Sequence, residues 1–280
     1  MTKKRSSSVE RAFRILEEVG TSDRPSGLSF TEVKRELGRR HPIPSSTLSN
    51  LLHTLNRLGY LQFDEKTRLH SLGYRLINLG ETADKRLRGQ PRDEKCMDLL
   101  KGVVEKTNCG AHIAILDSGE ALYLLREEAA GFFGARISPG KTQVPHFTAI
   151  GKALICWFDD EQLQEILDLH QKPKNVTPNS LTTLEQLKPD LQTIKENEYA
   201  IDNEEHQLGV RCVASPIYAG PGKVIASIGI STKKEDFSRE QLCQIGEKIL
   251  KPAAKEATST PAIINALKRH YAMRNNHRNS

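Results

Sequence analysis

Long apolar runs are missing from this 280-residue sequence, in which only 37% of the residues are hydrophobic and 5% are aromatic. No stretch approaches the roughly 20 apolar residues that a membrane helix requires, and the N-terminal segment MTKKRSSSVERAF lacks the apolar centre of a signal peptide. We therefore expect a cytoplasmic protein with no membrane partner. A chain of this length is expected to form two domains, each with its own core.

Closely spaced cysteines are also missing: the five cysteines are far apart, and no C-x-x-C pair occurs. Such pairs are the usual ligands of structural zinc and the usual centres of dithiol redox chemistry. We therefore expect reduced cysteines, no metal site and no cofactor. A nucleophile elbow and a phosphate-binding loop are absent as well, which disfavours an enzyme.

Acidic residues are scarce at both ends of the chain. Residues 1–90 contain 17 basic and 10 acidic side chains, residues 91–260 contain 20 and 25, and residues 261–280 contain four basic side chains and no acidic one. Basic charge at one end is typical of a phosphate-binding module beside a domain with another task. Random variation of surface charge would also give an asymmetry of this size, so charge alone does not decide the function.

Two amphipathic helices are predicted in the first 40 residues. Ser7 to Glu10 and Ser29 to Glu32 both have the S-x-x-E form of a capping box. Loop-forming residues at 21–27 separate the two helices, and the second is expected to end near Gly38. The apolar residues of the first helix that recur at helical spacing are Val9, Ala12, Phe13, Leu16 and Val19.

A third helix over residues 45–58 combines a leucine stripe with a polar face that has no acidic residue. The stripe predicted to face the core consists of Leu48, Leu51, Leu52, Leu55 and Leu58. The residues on or beside the opposite face are Ser46, Thr47, Ser49, Asn50, His53 and Arg57. Because an ordinary solvent face mixes Glu with Lys, whereas these side chains bond phosphates and base edges, we predict a DNA-reading helix.

The segment GYLQFDEKTRLHS at 59–71 predicts two short strands around a tight turn. Three helices followed by a hairpin form a winged helix-turn-helix, in which the third helix enters the major groove. The wing cations Lys66 and Arg68 are then expected to reach the DNA backbone. A winged helix that makes only protein contacts is the alternative.

Mixed helices and strands are predicted after residue 92. The helices are expected at 93–107, 148–158, 160–169 and 182–197, with a last one from residue 238. The strands are expected at 111–116, 120–127, 132–137, 210–217 and 224–231. Ile263, Ile264 and Leu267 predict a further helix in the basic tail, with an auxiliary DNA contact as a weaker alternative.

The chain resembles the IclR family of bacterial transcriptional regulators over about residues 8–256. The motifs that carry the resemblance are VERAFRIL at 9–16, PSSTLSNLLHTL at 44–55, LGYL at 58–61, HFTAIGKAL at 146–154 and EYAIDNEEHQLGVRCVASPI at 198–217. The resemblance implies an α+β protein of two domains. Its implied parts are a winged helix-turn-helix at 1–71, a linker helix at 72–91, a GAF-like antiparallel sheet with helices at 92–258 and a basic tail at 259–280.

The resemblance also implies a metabolite-responsive regulator that binds double-stranded operator DNA as a homodimer. A dimer of dimers is an open alternative, and the implied role is that of a repressor, with activation left open. The implied effector, a small organic acid, would be bound by Ala149, Ile150, Asp202, Val210, Cys212, Gly229 and Ser231.

Each implied contact has a chemical reason. N–H groups at the helix start 148–151 suit a carboxylate, the Ser231 hydroxyl can add a hydrogen bond, and Asp202 would accept one from a ligand hydroxyl. Gly229 stands where related pockets often have a hydroxyl residue, which implies either a missing contact or a larger cavity. An enzyme that uses Cys212, His206 and Glu205 as nucleophile, base and orienting group is an alternative, as is a protein-interaction module.

Overall fold

The first two helices begin at the predicted capping residues. The Ser7 hydroxyl accepts a hydrogen bond from the Glu10 N–H (3.1 Å), and the Glu32 carboxylate accepts one from the Ser29 N–H (2.9 Å). Both contacts satisfy groups that a helix start would otherwise leave unpaired. The protein is represented by a computed structural model that describes residues 7–22, 24, 26–38, 42–88, 94–129, 137–170 and 177–275.

The chain divides into two units, residues 1–89 and 90–280. The elements of the N-terminal unit are α1 (Ser8–Gly20), β1 (Leu28–Ser29), α2 (Phe30–Gly38), α3 (Ser45–Arg57), β2 (Leu61–Asp64), β3 (Leu69–Leu72) and α4 (Tyr74–Arg88). The three strands form an antiparallel sheet in the order β1-β3-β2. This arrangement is a winged helix-turn-helix, with β2 and β3 as the wing.

In the core of the N-terminal unit, the buried residues of two helices differ from the predicted apolar stripes. On α3, Leu48, Leu52 and Leu55 are buried, whereas Leu51 is half-buried and Leu58 is 40% exposed. Leu58 lies outside the core because α3 ends at Arg57, so the helical spacing no longer holds there.

On α1, the buried stripe also differs from the predicted one. Ile15 and Val19 are buried, but Val9 and Phe13 are 65% and 62% exposed. The predicted stripe therefore contains two apolar residues that the described part of this unit leaves open to solvent.

The C-terminal unit contains helices on both sides of one sheet. Its helices are α5 (Glu94–Thr107), α6 (Ala149–Ile155), α7 (Asp160–Leu169), α8 (Leu184–Asn197), α9 (Arg239–Ile245), α10 (Lys251–Ser259) and α11 (Pro261–Asn275). Its strands are β4 (Gly110–Asp117), β5 (Glu120–Glu127), β6 (Thr142–Gln143), β7 (Ala200–Asn203), β8 (Val210–Tyr218) and β9 (Val224–Lys233). A 3₁₀ turn at Pro145–Phe147 precedes α6, and a π-helical turn at Gly246–Leu250 joins α9 to α10.

The six strands form an antiparallel sheet in the order β6-β5-β4-β9-β8-β7. One face packs against α5, α10 and α11. The other, which we call the α6 face, packs against α6 and then α8. Successive side chains of a strand point to opposite faces of the sheet. This alternation places the side chains of the candidate ligand site on the α6 face.

Among the predicted elements of this unit, α6 differs most in its extent. The helix predicted at 148–158 is shorter, since α6 ends at Ile155. The strand predicted at 132–137 lies almost entirely outside the described residues. The tail helix is present as α11, and its residues Ile263, Ile264 and Leu267 are buried in the same core as α5, so it is part of the C-terminal unit. Within the described ranges, no helix has the length and apolar character needed to span a bilayer.

Candidate nucleic-acid interface and ligand site

The polar face of α3 points outward. Ser46, Ser49, Asn50, His53 and Arg57 are all exposed, while Thr47 is half-buried at its edge. Pro44 precedes the helix and provides no side-chain cap. The first-turn N–H groups therefore lack the side-chain acceptor that a Ser or Asp cap would supply, which suits them to an anionic partner such as phosphate.

A cation from another helix lies at the start of α3. The exposed Lys34 on α2 donates a hydrogen bond from Nζ to the Ser45 hydroxyl (2.7 Å). Lys34 was not predicted as a site residue, because its position beside α3 depends on how the two helices pack. Its charge is well placed to contact the same phosphate as the first turn of α3.

The wing carries both predicted cations at its exposed turn. The Asp64 carboxylate accepts hydrogen bonds from the N–H groups of Lys66 (2.8 Å) and Thr67 (3.3 Å), which fixes the turn. The Arg68 guanidinium lies 5.1 Å from the centre of the Phe63 ring. A cation–π contact of this kind limits the freedom of the arginine without removing its charge.

A buried histidine joins the wing to α3. The His70 ring lies 4.7 Å from the Phe63 ring, and its Nδ1 is 3.3 Å from the Asn56 amide nitrogen. Burial, followed by the nearby Arg68 charge, lowers the pKa of His70. A neutral His70 ring can accept this hydrogen bond, so the contact is available at physiological pH.

The seven predicted effector-binding residues come together at the α6 face. Asp202, Cys212 and Ser231 lie opposite one another on β7, β8 and β9, and the Cys212 thiol is 3.3 Å from the Ser231 hydroxyl. Val210 lies two residues before Cys212 at the half-buried start of β8. The remaining residues are Gly229 on β9 and the buried pair Ala149 and Ile150 on α6.

Gly229 does not enlarge the site, contrary to one of the two expectations for this position. A Cβ atom there would lie only 2.7 Å from Ala214 Cβ and 3.0 Å from Ile150 Cγ1. The space that a side chain would need is already filled by these neighbours. The glycine therefore allows α6 to approach the sheet closely.

The start of α6 offers fewer donors than expected. The Thr148 hydroxyl accepts a hydrogen bond from the Gly151 N–H (3.0 Å). This cap leaves at most the N–H groups of Ala149 and Ile150 for a ligand carboxylate. Side chains on the sheet must therefore supply part of the recognition.

A buried ion pair behind α6 was not predicted. Lys152 is fully buried, and its Nζ donates hydrogen bonds to Glu205 Oε2 (2.6 Å) and to the Ile201 carbonyl oxygen (2.7 Å). Asp190 lies 2.7 Å from the same nitrogen. The signal in the sequence is a lysine within the apolar segment AIGKALI, where a charge must find a partner on folding.

The environment of Asp202 favours its neutral form. Burial, followed by the negative charge of Glu205, raises the pKa of Asp202 to about 7, although Lys152 opposes the shift. Its Oδ1 accepts a hydrogen bond from the Glu205 N–H (2.7 Å). A protonated Asp202 can donate a hydrogen bond to an acid, so the repulsion expected between this carboxylate and an anionic ligand is reduced near neutral pH.

The alternative catalytic group is not assembled. Glu205 is paired with Lys152, His206 Nε2 lies 3.1 Å from the Gln143 amide nitrogen, and the Cys212 thiol lies 3.3 Å from the Ser231 hydroxyl. Burial, with Asp202 nearby, raises the pKa of the Cys212 thiol well above its ordinary value. A buried thiol that resists ionisation is a poor nucleophile.

Two further observations concern other kinds of site. Among the described residues, no group of three or more His, Cys, Asp or Glu side chains could hold a metal ion. A cavity of about 440 Å³ lies between the end of α7 and the start of α8, where it is lined by His146, His170 and Glu185 among others. It includes none of the predicted effector-binding residues.

A winged helix-turn-helix with an outward polar helix, followed by a sheet domain with a buried polar site, defines the class of DNA-binding transcriptional regulators. The sequence pattern of the IclR helix-turn-helix domain matches residues 8–65, and that of the bacterial transcriptional regulator IclR C-terminal domain matches residues 94–258. The chain belongs to the IclR family of bacterial transcriptional regulators.

Curated relatives and solved structures are similar along most of the chain. The HTH-type transcriptional regulator XynR of Escherichia coli (strain K12) is 32% identical over 252 residues, which cover 85% of this chain and 94% of the relative. The HTH-type transcriptional regulator KdgR of Dickeya chrysanthemi is 30% identical over 234 residues, covering 84% and 73%. The IclR transcriptional regulator from Alicyclobacillus acidocaldarius has a TM-score of 0.67 at 25% identity, covering 90% and 97%.

One solved neighbour contains a small molecule. It is an IclR homologue from Microbacterium hydrocarbonoxydans complexed with 4-hydroxybenzoate. Its TM-score is 0.61 at 22% identity, and the match covers 94% of this chain and 100% of the neighbour. At this identity the likeness shows a shared fold.

Proposed function

We propose that this regulator reads operator DNA with the polar face of α3 and with the wing cations Lys66 and Arg68. The observation that carries the proposal is the exposed, acid-free surface formed by Ser46, Ser49, Asn50, His53 and Arg57. Such side chains contact phosphates and base edges, and an acidic residue among them would repel the duplex. The net charge of +7 over residues 1–90 supports the same orientation toward DNA.

The regulator acts as a homodimer in this proposal. Val9 and Phe13 on α1 and Tyr74 and Ile77 on α4 are each more than half exposed. Large apolar side chains of this kind are typical of protein interfaces. A dimer would also present two recognition helices, which suits the paired half-sites of an operator. The linker helix predicted at 72–91 corresponds to α4, which begins at Tyr74. In the proposed dimer this helix would help to pair the two DNA-binding units. A dimer of dimers would be a further level of assembly.

The effector is a small organic acid bound at the α6 face of the C-terminal sheet. The N–H groups of Ala149 and Ile150, the Ser231 hydroxyl and the Asp202 carboxyl supply polar contacts there, next to the apolar residues of α6. The complex of an IclR homologue with 4-hydroxybenzoate supports an acid of this size. We place the protein in the cytoplasm and assign it no catalytic activity, because Cys212, His206 and Glu205 are engaged with other partners.

The test is operator binding by variants of α3. Fluorescence anisotropy would compare the wild type with Asn50→Ala and Arg57→Ala, on the promoter DNA upstream of its own gene and on a random duplex of equal length. Each substitution removes a hydrogen-bonding side chain from the exposed face, so the preference for the promoter should fall about tenfold or more. Arg239→Ala, an exposed arginine of the C-terminal unit, is the matched control and should change nothing.

Two outcomes would contradict this function. If the wild type showed no preference for the promoter that weakens with salt, operator binding would be wrong. If both α3 variants bound as tightly as the wild type while remaining folded, the winged helix would serve another purpose, and a protein-interaction module would be favoured.

A further inference from the structure

A buried histidine lies beside the effector-binding residues and was not among those predicted. His112 on β4 is opposite Gly229 on β9, and antiparallel partners share a face of the sheet. Its side chain is therefore on the α6 face, with Ser231 two residues along β9. His112 is only 2% exposed.

Both ring nitrogens of His112 lack a hydrogen-bond partner among the residues that the structure describes. A buried imidazole without partners carries the full cost of removing its polar atoms from water. An apolar side chain of similar size would avoid this cost, so the histidine needs a reason to be there. A ligand that supplies the missing partner is such a reason.

The groups around His112 are already paired with one another. The Tyr123 ring packs edge-on against the His112 ring at 5.7 Å, and the Tyr123 hydroxyl donates a hydrogen bond to Gln143 Oε1 (2.7 Å). The Gln143 amide in turn lies 3.1 Å from His206 Nε2. This series of hydrogen bonds holds the Tyr123, Gln143 and His206 side chains in place, and it leaves the His112 nitrogens available to a ligand.

The imidazole of His112 is neutral. Burial, followed by the charge of Arg126 on the neighbouring strand, lowers its pKa to about 3. A neutral imidazole offers one N–H donor and one nitrogen acceptor. A hydroxyl group can accept from the first or donate to the second, whereas a carboxylate can only accept.

We propose that His112 contacts the effector directly and makes the C-terminal domain select a carboxylic acid that also carries a hydroxyl group. The acid group is bound near Ser231 on β9, and the hydroxyl group is bound by the imidazole. This inference rests on the proposed effector site, and it narrows the ligand from organic acids to hydroxylated acids.

The test measures a ratio of affinities. Isothermal titration calorimetry would use three pairs of probes: 4-hydroxybenzoate with benzoate, gluconate with hexanoate, and lactate with propionate. The wild type should bind the hydroxylated member of at least one pair about tenfold or more tightly than its partner, since the partner leaves His112 unpaired. His112→Phe should bring the two affinities together, and His112→Gln, which keeps a donor and an acceptor, should retain part of the preference.

Controls separate recognition from folding. Ser215→Ala removes another buried polar group without a partner, on the opposite face of the sheet, and should leave the ratio unchanged. In the absence of ligand, His112→Phe should melt at the same temperature as the wild type or higher, because it removes an unpaired polar group. His112→Leu is the substitute if the phenylalanine prevents folding, and it should also abolish the preference.

Several results would overturn the inference. They are equal binding of both members of every pair by the wild type, an unchanged preference in His112→Phe or His112→Leu, and binding of none of the six probes. Operator binding by the same preparations would be measured in parallel. If the wild type still preferred its promoter, only the role of His112 would be rejected, whereas loss of that preference would reject the proposed function itself.

Discussion

Lys152 is a buried charge that joins separate segments of the C-terminal unit. Its fully buried ammonium group joins α6 to β7 through the Ile201 carbonyl group, and to the segment after β7 through Glu205. The strand β7 also contains Asp202, which lies in the candidate site. A buried ion pair adds little net stability compared with an apolar pair, but breaking one side leaves an unpaired charge.

Lys152→Met should therefore destabilise the C-terminal unit strongly. We expect the free energy of unfolding to fall by about 3 kcal/mol or more, because Glu205 would remain buried without its partner. Urea denaturation followed by circular dichroism would measure this change. Lys188→Met is the control, since Lys188 pairs with Asp160 at the surface (2.9 Å), and it should cost less than about 1 kcal/mol. Equal effects of the two substitutions would contradict the account.

Asp202 predicts a specific dependence of stability on pH. Its pKa is about 7 in the folded protein against 3.8 for an ordinary aspartate, so the folded state binds the proton more tightly. The contribution of Asp202 to stability must then fall as the pH rises from about 4 to about 7, and remain low above that range. The neighbouring charges that set this value are those of Glu205 and Lys152.

Asp202→Asn should remove this dependence, since the asparagine side chain is neutral at every pH and keeps an oxygen that can accept the Glu205 N–H. At pH 8 the variant should be the more stable protein, by at most about 4 kcal/mol, the equivalent of a shift of about three pKa units. At pH 4 the two should be similar. Thermal unfolding at a series of pH values would measure the difference, and a constant difference between pH 4 and pH 8 would show that folding does not raise the pKa of Asp202.

Among the elements, α3 was the most predictable. Its leucine spacing and its polar face are local properties of the sequence, and the structure confirms the helix over Ser45–Arg57. The strands β4, β5, β8 and β9 were predicted for the same reason, because alternation and turn residues are local signals.

Elements that depend on distant contacts were not predictable. The short strands β1 and β6 have two residues each and exist only through pairing with β3 and β5. The role of His112 depends on strand register. A bulge beside Ile113 and Ala114 also brings Tyr123, rather than Leu124, opposite Ala114 and onto the α6 face. No local pattern in the sequence reports such a shift.

In the proposed dimer, the exposed apolar side chains of α1 and α4 form the interface. Phe13→Glu combined with Ile77→Glu should weaken dimerisation by more than about tenfold, since each substitution places a charge where an apolar group would be buried. Operator affinity should fall with it, because paired heads read two half-sites. Sedimentation equilibrium would measure the change.

Leu208→Glu is the matched control for this pair, because Leu208 is an equally exposed leucine of the C-terminal unit (60%). It should leave the dimer intact. A dimer that is unaffected by the charged residues in α1 and α4 would place the interface elsewhere.

At the scale of the whole molecule, a basic DNA-binding unit is joined to a more acidic ligand-binding unit. Control of DNA binding by an effector requires that the effector bind two states of the protein with different affinities. The coupling is reciprocal, so operator DNA must change the affinity for the effector by the same factor.

The central claim is that the acid-free face of α3 lies against operator DNA, and a cross-linking measurement tests it most directly. The photoreactive residue p-benzoylphenylalanine would replace the exposed His53 on α3, or the exposed Lys101 on α5 as the control. The account predicts cross-links from position 53 to the promoter duplex, fewer to a random duplex, and none from position 101. Cross-links from position 101 alone, with promoter binding intact, would contradict it.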